Sequence, residues 1–93
     1  MARKNEWLRN TVINTDDGTR FTLKYYISRT GTENGPVFGV SVEKYAGDGA
    51  LAESETTPPF SESREEAAGL AACFARNSVT PCALLETLDE CIG

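Results

Sequence analysis

Three cysteines in the second half of the chain are the residues whose spacing could first suggest chemistry. Cys73, Cys82 and Cys91 lie nine positions apart, and the chain contains no histidine. A structural zinc site normally needs four ligands, usually paired at a short spacing such as C-x₂-C. The spacing therefore does not predict a metal site, and we expect the protein to use no metal and no other cofactor.

Helix geometry distinguishes the last two thiols. At about 100° per residue, Cys91 lies within about 20° of Leu84 on the apolar side of the last helix, so we expect it to be buried and inert. Cys82 falls in the first turn of that helix, where the helix dipole can activate a thiol, although Glu86 and Asp89 oppose this effect. Cys82 is therefore the candidate reactive thiol. The alternative is a half-exposed residue packed against the neighbouring helix.

An acidic cluster is the second candidate site. If the two C-terminal helices pack antiparallel, the start of the first helix lies beside the end of the second. That arrangement gathers a group of carboxylates, here called the acidic pole: Glu62, Glu65, Glu66, Asp89 and Glu90. Two of these residues end a helix, where the dipole disfavours negative charge, so a basic partner or a cation would relieve the cost. The alternative is a solvated acidic face that keeps the protein soluble.

Length and charge limit the classes of function. The 93 residues predict a single domain, 1–93, with one small core. Residues 1–45 carry seven basic and five acidic side chains, whereas residues 46–93 carry two basic and nine acidic ones, for a net charge of −5. An acidic chain repels phosphate backbones, so nucleic acid is not the expected partner. Without histidine, a glycine-rich phosphate loop or a nucleophile elbow, we do not expect an enzyme.

The same reasoning gives an expected location. The N-terminal segment MARKNEWLRN has charges but no apolar run behind them, so it does not predict a secretory signal. No window contains the roughly 18 apolar residues that would cross a membrane. An odd number of cysteines fits no closed set of disulfides, and a reducing cytoplasm is the expected compartment.

A period of two predicts β-strands between about residues 6 and 57. Residues 11–14 form the first arm of a hairpin, and residues 21–28 form a second arm that alternates apolar and polar side chains. Turn residues separate the strands at 16–18, 31–36 and 46–49. The pattern at 50–57 is too weak to decide whether a fourth strand forms. The prediction is an antiparallel meander of three to four strands.

The period changes to 3.6 over residues 62–92, which predicts two helices. Ser63 and Glu66 have the spacing of a capping box, and Thr80 with Pro81 suits the start of a second helix. The first helix carries a narrow apolar stripe: Ala67, Leu70, Ala71 and Phe74. Because the connection is short, we expect an antiparallel helical hairpin packed on one sheet face, and hence an α+β fold.

The polar face of the second strand offers a third hypothesis. Lys24 and Tyr26, with Arg20 nearby, resemble a simple platform for stacking single-stranded RNA, although only one aromatic residue is well placed. Trp7 lies among basic residues and is either part of a docking arm or, as we expect, a cover for the sheet's edge over the core.

The segment NSVTPCALLETLDECI resembles the C-terminal end of a family of small uncharacterised proteins from Firmicutes, chiefly clostridia. The matching positions are Val79, Thr80, Pro81, Leu84, Leu88, Asp89 and Ile92. The chain is also similar to that family in having a tyrosine-containing strand, YYI here, then a β-region and a helical hairpin, over roughly residues 21–92. The resemblance implies a bacterial, cytoplasmic protein and no particular activity, and the cysteines lie outside the shared pattern.

These observations lead to one functional expectation and one alternative. We expect a small non-catalytic protein–protein interaction or regulatory module, whose partner is an unknown protein or a second copy in a homodimer, since chains of this size often complete their core by association. The alternative is a small-ligand, metal or thiol-redox protein that uses Cys82 or the acidic pole.

Overall fold

The computed structural model describes residues 3–92. Its elements, in chain order, are β1 (Arg3–Asn14), β2 (Arg20–Thr32), β3 (Gly35–Ala46), β4 (Leu51–Thr56), α1 (Arg64–Arg76), a 3₁₀ turn (Pro81–Ala83) and α2 (Leu84–Ile92). The strands form one antiparallel sheet in the order β1-β2-β3-β4. This confirms the α+β meander followed by two helices, and it settles the open question of the fourth strand.

Two of the three hairpin turns use the same chemistry. The backbone N–H of Thr19 donates to Oδ1 of Asp17 over 3.0 Å, and the N–H of Ala50 donates to Oδ1 of Asp48 over 2.9 Å. Gly18 and Gly49 follow these aspartates with φ values of 86° and 89°, which a side chain would strain. The Asp-Gly pairs therefore set the registers of the first and third hairpins.

Strand β1 is much longer than the hairpin arm predicted at residues 11–14. Its first half is a charged edge strand with exposed side chains, so it lacks the apolar alternation that marks a half-buried strand. The pairing with β2 also shifts between Trp7 and Arg9, where Leu8 is the extra residue of a β-bulge. The bulge shifts the alternation of inward and outward side chains by one residue, so the sequence of β1 does not show a continuous period of two.

One sheet face, here called the inner face, carries the core. On β2, the predicted alternation places Leu23, Tyr25 and Ile27 on that face, where they are buried, and Phe21, where it is partly buried. On β3, Phe38, Val40 and Val42 are buried on the same face. From α1, Ala67, Ala71 and Phe74 are buried against them and Leu70 is partly buried, which confirms the predicted stripe. Leu84 and Leu88 of α2 complete the core.

Two hydrogen bonds fix the C-terminal end of α1 to the sheet. The hydroxyl of Thr11 donates to the Ala75 carbonyl over 3.0 Å, and the buried Tyr25 hydroxyl donates to the Val79 carbonyl over 2.8 Å. Ala75 lies in the last turn of α1, where helix carbonyls lack a full set of intrahelical partners, whereas Val79 lies in the connection that follows the helix. Helix α1 crosses β1, β2 and β3, whereas the following segment approaches β3 and β4 through the 3₁₀ turn. The two helices meet in the shared core and not along an extended seam.

The structure confirms the helix start predicted at Ser63 but not the one predicted at Thr80. The side chain of Ser63 accepts from the Glu66 backbone N–H, and Asn77 ends α1. Thr80 was expected to cap the second helix, but it precedes the 3₁₀ turn and makes no capping bond with its side chain. The 3₁₀ turn delays α2 until Leu84, which rotates its apolar side relative to a helix that begins at Pro81.

The expectation for Cys91 is wrong, because its side chain is exposed. The side chains of Leu84 and Leu88 in the first two turns of α2 are buried, but no buried side chain follows them among the described residues of the last turn. A residue on the apolar side of a helix is buried only where another part of the protein packs against that turn of the helix. Leu85, also on α2, is 42% exposed. The side chain of Ile92 lies outside the described residues.

Candidate functional site

The second face of the sheet, here called the outer face, is the candidate site. Alternation along β2 and its pairing with β1 and β3 place Trp7, Tyr26 and Tyr45 on this side. Trp7 is 58% exposed, so the expectation that it covers the core is wrong. Val12 and Leu51 are each 53% exposed. Large apolar side chains left together in solvent mark an interaction surface more often than single exposed ones do.

The aromatic side chains of the outer face are held in place by polar contacts. Nε1 of Trp7 donates to Oδ1 of Asn10 over 2.8 Å, which fixes the indole along β1. Trp7 and Tyr26 are direct cross-strand neighbours. The Tyr45 hydroxyl donates to Oε1 of Glu43 over 2.9 Å. The row therefore reaches from the edge strand β1 to β3.

Glu43 and Lys24 set the electrostatics of this row. The hydrogen bond to Glu43 raises the pKa of Tyr45, and burial, followed by the neighbouring Glu43 carboxylate, raises the pKa of Tyr26. Both phenols are therefore neutral hydrogen-bonding groups at physiological pH. The ammonium of Lys24 lies 4.7 Å from the centre of the Tyr45 ring, a cation–π distance.

Basic residues outnumber acidic ones among the charged residues whose strand positions place them on the outer face. Arg3, Arg20 and Lys24 share this face with Glu43. The acidic residues of the chain lie mainly in the turns, in β4 and in the helical segment. The charge asymmetry of the sequence thus leaves more basic than acidic residues on the outer face.

Cys82 is exposed in the 3₁₀ turn, and its Sγ lies 3.5 Å from Oγ1 of Thr80. It therefore does not occupy the first turn of an α-helix, where a full helix dipole would act on it. Cys73 accepts from Nδ2 of Asn77 over 3.6 Å. All three cysteines are free thiols.

The members of the acidic pole all have exposed side chains. Glu65 and Glu66 occupy the first turn of α1, where they complement its dipole, and Glu62 precedes the cap. Asp89 and Glu90 lie near the end of α2. Within residues 3–92 no group of three or more aspartate, glutamate or cysteine side chains is arranged to hold a metal ion.

Sequence reasoning singled out Tyr26 and Lys24 but missed Trp7 and Tyr45 as members of the same surface. Tyr45 could have been found from alternation along β3. It lies an even number of residues from Gly39, so the two face the same side of the sheet, opposite to Val40. Trp7 could not, because the bulge at Leu8 decides which face it joins.

Among the described helices none has the length and apolar character needed to cross a membrane. No curated protein and no solved structure matches the chain. One family model does match, and it covers residues 4–93, nearly the whole chain. The chain therefore belongs to that family, DUF6514, a family of unknown function.

Proposed function

We propose that the protein is a non-catalytic interaction module that binds an acidic protein partner on the outer face of its sheet. The observation that carries the proposal is the aromatic row beginning at Trp7, which is 58% exposed and lies on the face opposite the core against which α1 packs. Interface centres are enriched in tryptophan and tyrosine, since these side chains bury a large area with few rotatable bonds.

Charge selects the kind of partner. Arg3, Arg20 and Lys24 surround the aromatic row, so acidic side chains on the partner would meet opposite charge at the rim. A second copy packed face to face would bring these cations toward their own counterparts, which disfavours a homodimer through this surface.

Single-stranded nucleic acid is the other ligand that uses aromatic and basic residues on a sheet. Here Glu43 lies among the tyrosines and accepts a hydrogen bond from Tyr45. A carboxylate at that point repels a phosphate backbone, and the net charge of −5 adds to the repulsion. The outer face therefore suits a protein better than an RNA strand.

The test is affinity capture from host lysate with three forms of the protein: the wild type, a Trp7→Ala, Lys24→Glu variant, and a Glu65→Lys, Glu66→Lys variant. We expect a partner that is lost by the first variant and kept by the second. Loss only in the second variant would move the binding surface to the acidic pole. Binding of a labelled single-stranded oligonucleotide that weakens steeply with salt would instead support the RNA reading.

The oligomeric state is measured alongside by light scattering. A monomer that captures a protein supports the proposal. A stable dimer that Trp7→Ala dissociates would replace the acidic partner with a second copy.

A further inference from the structure

A cavity lies at one end of the outer face, beneath the segment that follows β4. The Thr57 N–H donates to the Val40 carbonyl and the Phe60 N–H to the Phe38 carbonyl, each over 2.9 Å, so the chain follows the edge of β3 at these two points. Between them, Pro58 and Pro59 have no N–H to donate, and this part of the chain leaves the edge. The space between it and the outer face measures about 610 Å³.

Gly39 lies beside two of the residues that line the cavity, Ser28 and Thr57. A methyl group on Gly39 would lie 2.7 Å from Oγ1 of Thr57 and 2.9 Å from Oγ of Ser28. Both distances are too short for a Cβ atom, so a side chain at this position would collide with the two hydroxyl groups. Gly39 thus lets Thr57 and Ser28 approach its backbone closely.

The two hydroxyls differ in how they are satisfied. Oγ1 of Thr57 accepts from the Val40 N–H over 3.0 Å. Ser28 is only 2% exposed, yet its hydroxyl takes part in none of the side-chain hydrogen bonds found among residues 3–92. Every fully shielded polar side-chain atom in that range does have a partner. The small exposed area of Ser28 therefore leaves its hydroxyl open toward the cavity that it lines.

The walls are apolar and the mouth is charged. Pro58, Pro59 and Leu85 contribute apolar surface, and Leu85 is 42% exposed. Arg3 is the single charged residue among the described residues that line the cavity, and it forms no ion pair with a described carboxylate. Sites for small molecules combine such a mostly apolar lining with a few placed polar groups, and they have volumes of about 300–1,000 Å³.

We propose that this cavity binds a small carboxylic acid with an apolar body. Arg3 binds the carboxylate, since a guanidinium matches two carboxylate oxygens and a single cation suits a monoanion. The apolar body lies against Pro58, Pro59 and Leu85, and Ser28 offers a hydrogen bond at the floor. The site includes neither Trp7 nor the tyrosines of the aromatic row, although Arg3 also belongs to the charged rim proposed for the protein partner, so its small ligand can be tested without that partner.

The experiment follows backbone amide signals by NMR during titration with phenylacetate, with uncharged phenylacetamide as the matched ligand. We expect phenylacetate to shift the amides of Ser28, Gly39, Thr57 and Leu85, with an affinity near the millimolar range for so small a ligand. Phenylacetamide should bind about tenfold more weakly, because it cannot pair with Arg3. Equal responses to both compounds, or shifts spread over the surface, overturn the proposal.

Two variants test the assigned roles. Arg3→Gln should remove the tenfold preference for the acid, and Ser28→Ala should weaken phenylacetate while the protein stays folded, because only a hydroxyl is removed. Trp7→Ala is the control, and its phenylacetate titration should match that of the wild type. Cyclohexanecarboxylate and isovalerate extend the search to other apolar bodies. If none of the three acids shifts the cavity amides, the proposal fails.

Discussion

The two faces of the sheet are built from the same strands but have opposite characters. On the inner face Leu23, Tyr25 and Ile27 are almost completely buried, and the helices cover them. On the outer face their neighbours Lys24 and Tyr26 are half-buried, and Trp7 beside them is mostly exposed. The buried core of the described residues therefore lies on one face of the sheet, whereas the other face keeps large side chains in contact with solvent.

The largest loss of stability should follow removal of the largest side chain in the stripe of α1. Phe74→Ala should lower the free energy of unfolding by about 3–5 kcal/mol, since it deletes a buried aromatic ring and leaves a cavity. Total stability for small domains is about 5–15 kcal/mol, so urea denaturation should show a much lower midpoint or an unfolded protein. A loss below about 1 kcal/mol would mean that the inner face is not the main core.

Two glycines of the sheet should differ in how well they tolerate a methyl group. Gly39→Ala should destabilise the fold by about 1–3 kcal/mol, because the methyl group would collide with Thr57 and Ser28. Gly31→Ala is the matched control. It meets nothing within 4 Å, so it should be neutral or should stabilise the fold by about 0.4–1 kcal/mol through the unfolded chain. Thermal unfolding of both variants measures the contrast, and equal effects would show that Thr57 can move aside.

The hydrogen bond from the Tyr25 hydroxyl connects the core to the segment that follows α1, and its removal should lower the stability of the fold. Tyr25→Phe should cost about 1–2 kcal/mol, because the Val79 carbonyl loses its donor. Burial raises the pKa of Tyr25 from 10.0 to about 12. The folded state therefore keeps its proton where the unfolded state has lost it. This contribution to stability is complete below pH 10 and is lost as the pH rises toward 12.

Urea denaturation between neutral pH and pH 11 measures that dependence. The wild type should lose more stability over this interval than Tyr25→Phe does. Parallel decline in both proteins would assign the alkaline sensitivity to other groups, such as Tyr26.

The smallest effect on stability should come from the outer face. Trp7→Ala should change the free energy of unfolding by no more than about 0.5 kcal/mol, because the indole is largely in solvent. The same variant should lose the protein partner. A large loss of stability would instead give Trp7 a structural role and remove its value as a binding control.

The sequence predicts the inner face well because buried positions recur as apolar residues with the period of a strand or a helix. The alternation of β2 and the stripe of α1 identify Tyr25, Ile27 and Phe74 as core residues without any knowledge of the sheet order. The outer face is predicted only in part. Tyr26 follows from alternation, but the placement of Trp7 depends on a bulge that no local pattern reveals.

The cavity and the end of α2 depend on long-range geometry. The cavity exists because Pro58 and Pro59 leave the sheet edge after Thr57, and the sequence alone does not place this segment beside the outer face. Cys91 has the right angle for burial, yet no surface covers it. Periodicity indicates which side of a helix is apolar and does not indicate where the sheet beneath it stops.

The bulge at Leu8 has a consequence for the behaviour of the protein at high concentration. A free edge strand is a template on which other chains can add strands, and β1 is twelve residues long. Its register is interrupted near the middle, and Arg3, Lys4, Glu6 and Arg9 place charges along it. A regular strand cannot pair along its whole length, and β1 is thereby protected against edge-to-edge aggregation.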